Sequence, residues 1–207
     1  NMASAWNAGY RAAGQNVIVF DTGVQAAHPF LAGRVVLEAC FGTTQLVNGT
    51  QYVSVCPQQN ATGDSPLGLV GSAAPPFGGA CSTADPNSCS HGTHVAGISA
   101  GRNAAGIPTG VQGTAPDSGI IGVQVFSFDQ LGVAPPSAFF VDLLAALQTA
   151  AAAMVPGVPA SNPDTINMSL GGSMFTGPCT AAQWAPFITA VQQLRVVDPE
   201  TGQKSTH

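Results

Sequence analysis

The sequence predicts an α/β domain with a mostly parallel central sheet, and three observations carry that prediction. Short apolar runs that read as strands stand at residues 17–20, 120–126 and 165–170. Between and after them lie segments whose apolar residues recur at helical spacing. Parallel strands need long crossover connections, and helices used as crossovers cover both faces of the sheet.

Residues 17–20, Val-Ile-Val-Phe, are apolar throughout, as a strand buried on both faces requires, and the run stops at the turn Asp21-Thr22-Gly23. Residues 42–90 are rich in Gly, Pro, Ser and Asn with little periodicity, and read as a long cysteine-bearing surface insertion with one short strand at 52–55. From His91 the sequence His-Gly-Thr-His-Val-Ala-Gly-Ile-Ser-Ala-Gly is small and apolar on every side. That composition fits a buried helix starting at His91, against which other elements press closely. After the second strand run, Ser137 offers an N-cap to a helix carrying Phe140, Leu143, Leu144, Leu147, Ala151 and Met154 on one face. The third run ends in Gly171-Gly172, and Trp184, Phe187, Ile188, Val191 and Leu194 then repeat at helical spacing with Pro186 in the first turn.

At 207 residues and 45% apolar content the chain has material for one domain, taken as residues 1–207. Only 7% of residues are charged, so Ser, Thr, Asn, Gln and backbone must cover the surface, which suits a secreted, loop-rich protein, extracellular or periplasmic. A net charge of -5 with no run of Lys or Arg argues against a nucleic-acid partner. The most apolar stretch, 139–155, carries Asp142 and Gln148 and stops at Pro156, so it reads as a buried helix and no membrane partner is expected. Residues 1–14 show no basic segment followed by an apolar one, so any signal or pro-segment is expected to have been removed or omitted.

Cys40, Cys56, Cys81, Cys89 and Cys179 lack the paired spacing of a zinc site and flank turn-rich stretches, which reads as disulfides in an oxidising compartment. The first four allow three pairings, of which Cys40 with Cys56 and Cys81 with Cys89 is favoured, leaving Cys179 over.

In open α/β sheets reactive groups gather at the C-terminal ends of strands and the N-terminal ends of helices, and Asp21, His91 and Ser169 occupy such places. Asp21 could simply cap its turn. A carboxylate at the end of an apolar strand also needs a hydrogen-bonded partner, which an imidazole N–H would supply. His91 stands at a helix start, where the dipole favours the neutral imidazole a general base needs. His91 and His94 could instead share a metal, but the zinc-peptidase pattern H-E-x-x-H has a glutamate base and this segment has none. His94 is read as a satisfied core residue, and no metal site is predicted. Asp21 and His91 together make two thirds of a Ser-His-Asp constellation.

Four motifs then stand in order. They are Val17-Ile-Val-Phe-Asp-Thr-Gly-Val24 followed by His28-Pro29, His91-Gly-Thr-His-Val-Ala-Gly97, Gly113-Thr-Ala-Pro116 and Ile166-Asn-Met-Ser-Leu-Gly-Gly172. In that order they resemble the landmarks of the subtilisin-like serine peptidases, the subtilases, over nearly the whole chain except the insertion and the last dozen residues. The resemblance implies a three-layer subtilisin-like fold that cleaves polypeptide substrates through an acyl-enzyme. Asp21 would be the triad acid, with Thr22 in support of its carboxylate, and His91 the base. Ser169, Leu170 and Gly171 would form the strand edge that pairs with the substrate backbone. No cofactor is required. Calcium is common in the family, and Asn103 lies in the loop concerned, but no cluster of acidic oxygens accompanies it.

The family's oxyanion-hole asparagine, and its serine nucleophile in a Gly-Thr-Ser-Met-Ala-like segment, have no counterpart here. Gly172-Ser173-Met174 mimics the latter but follows the substrate strand at once, and the polar tail at 198–204 departs from the family pattern. The expectation is therefore an N-terminal part of the catalytic domain that needs a missing C-terminal half for activity. Two rivals are a catalytically inactive peptide-binding relative and a truncated fragment without function. An aspartic peptidase, suggested by Asp21-Thr22-Gly23, would need a second carboxylate motif and an all-β fold, which the single D-T-G and the helical segments oppose.

Overall fold

A computed structural model describes residues 2–57, 63–65, 67–76, 87–102, 110–153, 165–171 and 182–194. In chain order the elements are helix α1 (Met2–Asn7), strands β1 (Asn16–Asp21), β2 (Val35–Cys40), β3 (Gln45–Val47) and β4 (Thr50–Val53), helix α2 (His91–Ala100), strands β5 (Gly119–Gln124) and β6 (Phe128–Asp129), helix α3 (Phe140–Ala153), strand β7 (Thr165–Met168) and helix α4 (Ala185–Gln193). The main sheet runs β2-β5-β1-β7, and the pairs are parallel throughout. This is the α/β architecture the apolar runs predict.

The sheet is central because β1 is buried along its whole length and sends alternate residues to opposite faces. Ile18 and Phe20 join Ile121, Val123, Ala146, Leu147, Ala150 and Ala190, which places α3 and α4 on one face. Val17 and Val19 join Ile120, Val24, Leu31, Ala96 and Ala100, which places α2 on the other. Three layers result.

Several expectations are corrected. Ser137 does not cap α3; its backbone exchanges hydrogen bonds with Ser127, and the Phe139 carbonyl accepts the N–H groups of Asp142 and Leu143 at the helix start. Within 42–90 the structure contains a hairpin, β3 with β4, extended by β6 into a small antiparallel sheet. Its turn is Asn48-Gly49, both at positive φ (50° and 86°), as a tight primed hairpin turn demands, so the sequence carried a hairpin signal there. β2 was not anticipated because Glu38 interrupts its apolar run. The structure buries Glu38 and satisfies one carboxylate oxygen with the Gly71 N–H at 2.6 Å. The strand at 120–126 stops at Gln124, opposite the last residues of β1 and β2, Asp21 and Cys40, and that at 165–170 stops at Met168, opposite Phe20. Helix α1 gave no sequence signal; its Trp6 indole donates to the Thr114 carbonyl at 2.9 Å.

Cys40 and Cys56 form the expected disulfide, and Cys89 is disulfide-bonded. Cys81 and Cys179 lie outside the described residues, as do Asn103, Met154 and Gly172. Among the described residues no helix is long and apolar enough to cross a membrane.

Candidate active site

The C-terminal end of β1 delivers Asp21 into a fully buried position, and the first residue of α2 delivers His91 opposite it. His91 Nδ1 lies 2.8 Å from Asp21 Oδ1, while the imidazole remains half exposed. The same oxygen accepts the Thr22 N–H at 2.7 Å, and Thr22 Oγ1 accepts the Gly92 N–H at 3.2 Å. Thr22 thus supports Asp21 through its backbone and joins the strand end to the helix start through its hydroxyl. Asp21 Oδ2 is buried without a hydrogen-bond partner among the described residues.

This closeness depends on Gly92. A Cβ there would collide with the Gly23 carbonyl oxygen and stand 2.8 Å from Asp21 Cβ. The small-residue pattern of α2 therefore has a local reason: the helix start rests directly on the turn that follows β1.

His91 faces an open cleft of about 1290 Å³ whose lining also includes Ser169, Leu170 and Gly171, with Phe126 and Pro136 among the other residues. Of the five residues singled out from the sequence, His91, Ser169, Leu170 and Gly171 line this cleft, and Asp21 is buried behind His91. Residues 169–171 lie just beyond the end of β7, and Ser169 Oγ donates to Asn167 Oδ1 at 2.8 Å. His94 is exposed and lines the cleft, which corrects its reading as a core residue; Ala96 and Ala100 form the face of α2 that meets the sheet, while His91, His94 and Ile98 share the face that meets the cleft. His28 also lines the cleft, with Nδ1 accepting the Phe30 N–H at 3.2 Å. Among the described residues no group of three or more His, Cys, Asp or Glu side chains could hold a metal ion.

Chemically, a carboxylate oxygen on Nδ1 fixes the ring's orientation and tautomer and leaves Nε2 to accept a proton. Residues 12–205 match the family model described as the Subtilase family. This chain belongs to the subtilase family. Two solved structures resemble it. One is titled Sphericase (24% identity, TM-score 0.52, covering 88% of this chain and 43% of that one), and its likeness speaks for the fold alone. The other is titled S41 Psychrophilic Protease (26% identity, TM-score 0.50, covering 88% of this chain and 42% of that one). This subtilase chain therefore spans less than half the length of either structure. Subtilases are a family of serine peptidases.

Proposed function

We propose that this chain supplies the acid and base of a secreted serine endopeptidase whose nucleophile lies in sequence outside these 207 residues. The observation that carries the reading is the 2.8 Å contact between buried Asp21 and cleft-facing His91. In this reaction His91 Nε2 takes the serine proton as the hydroxyl attacks the scissile carbonyl, and returns it to the leaving amine. Asp21 holds the ring and stabilises the imidazolium that forms. Ser169, Leu170 and Gly171 offer backbone groups to an extended substrate, which positions the peptide across the cleft. The disulfide Cys40–Cys56 fits an oxidising compartment.

Peptidase activity on a protein substrate and labelling by a serine-directed phosphonate test this reading on two proteins, this chain and the longest product of the same locus. The longer product is expected to turn over and label, this chain to do neither, and His91→Ala in the longer product to lower kcat by on the order of 10⁴-fold or more. A longer product that neither labels nor turns over overturns the catalytic reading in favour of a peptide-binding relative.

A further inference from the structure

We infer that Gln124 is the positioning residue of the Asp21–His91 pair, its side-chain amide clamping the turn that presents Asp21 to the wall of the cleft. This rests on the catalytic reading above, but the argument concerns only how the pair is held.

Gln124 is the last residue of β5 and stands in register with Asp21, the last residue of β1. Beyond this pair the Val125 N–H still reaches the Asp21 carbonyl at 3.1 Å, and then the two strands part. A polar side chain at this point is unusual, because Gln124 is fully buried (0% exposed) in a sheet whose other β5 side chains are aliphatic. Its amide spans the gap. Nε2 donates to the Thr22 carbonyl at 2.8 Å and Oε1 accepts the Phe126 N–H at 2.6 Å. A carbonyl on one side and an N–H on the other fix which end of the amide is which. The Gln124 carbonyl also accepts the Phe41 N–H at 2.9 Å, which anchors the same residue to the end of β2.

The chain of contacts leads directly to the imidazole. Gln124 holds the carbonyl of Thr22; the N–H of Thr22 is bonded to Asp21 Oδ1, the oxygen that also faces His91 Nδ1; the hydroxyl of Thr22 receives the N–H of Gly92, next to His91. The Thr22 carbonyl belongs to the Thr22–Gly23 peptide, so without the amide that peptide is held less tightly, and its movement shifts Gly23, whose carbonyl packs against Gly92 next to His91. On the other side of the clamp Phe126 lines the cleft. One side chain therefore ties the acid's turn to the surface that meets substrate.

The test uses the far-downfield proton resonance of the hydrogen-bonded His91 Nδ1–H in this chain, which needs no turnover and so stands or falls independently of the peptidase reading. Gln124→Met keeps the shape of the side chain and removes both bonds. The variant is expected to stay folded while exchange of the Nδ1 proton with water accelerates by about tenfold or more, as loss of two buried hydrogen bonds at the turn implies. Leu147→Ala, on the far side of the sheet in the α3 cluster, is the control for general loosening and is expected to leave that exchange unchanged. A second measurement needs no variant: in the unmodified chain the Gln124 side-chain amide protons and the His91 Nδ1 proton are expected to exchange through one opening event, with the same response to denaturant. Unchanged exchange in Gln124→Met, an equal acceleration in Leu147→Ala, or independent opening of the two sites each overturns the inference.

Discussion

Asp21, His91 and Gly92 are decided at ångström scale, where one methyl group matters. Gly92→Ala would push a Cβ against the Gly23 carbonyl and the Asp21 side chain. Neither neighbour is a flexible chain end, so the helix start must move away from β1. We expect a loss of about 1–3 kcal/mol in unfolding free energy together with loss of the His91 Nδ1–H resonance. A folded variant that keeps the resonance would refute the close-contact account. Charged groups away from the site contribute to the pH dependence of stability. The Asp129 carboxyl is held below its usual value of 3.8 by the Ala134 N–H, and further by those of Leu131 and Val133. Asp117 is held below 3.8 mainly by the hydrogen bond from Arg11. Both contribute stability that is present above pH 3.8 and lost as pH falls through their folded values. Asp142 acts oppositely: desolvation raises its pKa above 3.8, so its contribution favours the protonated form and declines as pH rises through that window. Denaturant midpoints measured from pH 7 to 3 should fall toward acid, and Asp129→Asn should flatten the fall.

At the scale of elements, the start of α3 shows how a helix end is secured by tertiary contact. Asp142 is buried in the first turn and accepts the Thr43 N–H at 3.0 Å and the Thr43 hydroxyl at 2.7 Å, which fastens α3 to the chain leaving β2. Ser137, which has the residue type of a cap, makes its bonds through the backbone to Ser127. Asp142→Ala should therefore cost about 1 kcal/mol or more by leaving the half-buried Thr43 donors unpaired. Ser137→Ala should stay within about 0.5 kcal/mol. Thermal melts of the two variants decide between the cap expected from sequence and the contact found in the structure. The small sheet of β3, β4 and β6 follows the same lesson, since β6 pairs with a hairpin distant in sequence.

For the whole molecule, two apolar clusters lie on opposite faces of one sheet, and β1 belongs to both. Leu147 is fully buried in the α3 cluster, so Leu147→Ala should lower the unfolding free energy by about 2–5 kcal/mol, read from the urea midpoint. A loss well under that range would mean that α3 is not integral to the core. Three of the chain's five basic residues, Arg11, Arg34 and Arg102, act on Asp117 from segments far apart in sequence, a convergence that no local charge pattern displays.

The sequence by itself determined the strands at residues 17–20, 120–126 and 165–170 to within a few residues, the helix beginning at His91 and Pro186 in the first turn of α4, and it favoured, among three pairings, that of Cys40 with Cys56. These follow from local periodicity, from residue chemistry and from short loop closure, all of which are written along the chain. It also marked Asp21, His91 and residues 169–171 as strand-end and helix-start positions, through motifs whose order is itself sequence information. Only the tertiary structure decided that His91 and residues 169–171 share one cleft with Asp21 buried behind His91, that His94 faces that cleft and not the core, that Glu38 can be buried within β2, and that Gln124 reaches across to Thr22. Each of those facts depends on which strands become neighbours, and the order β2-β5-β1-β7 joins residues about a hundred positions apart, a relation to which local periodicity is blind.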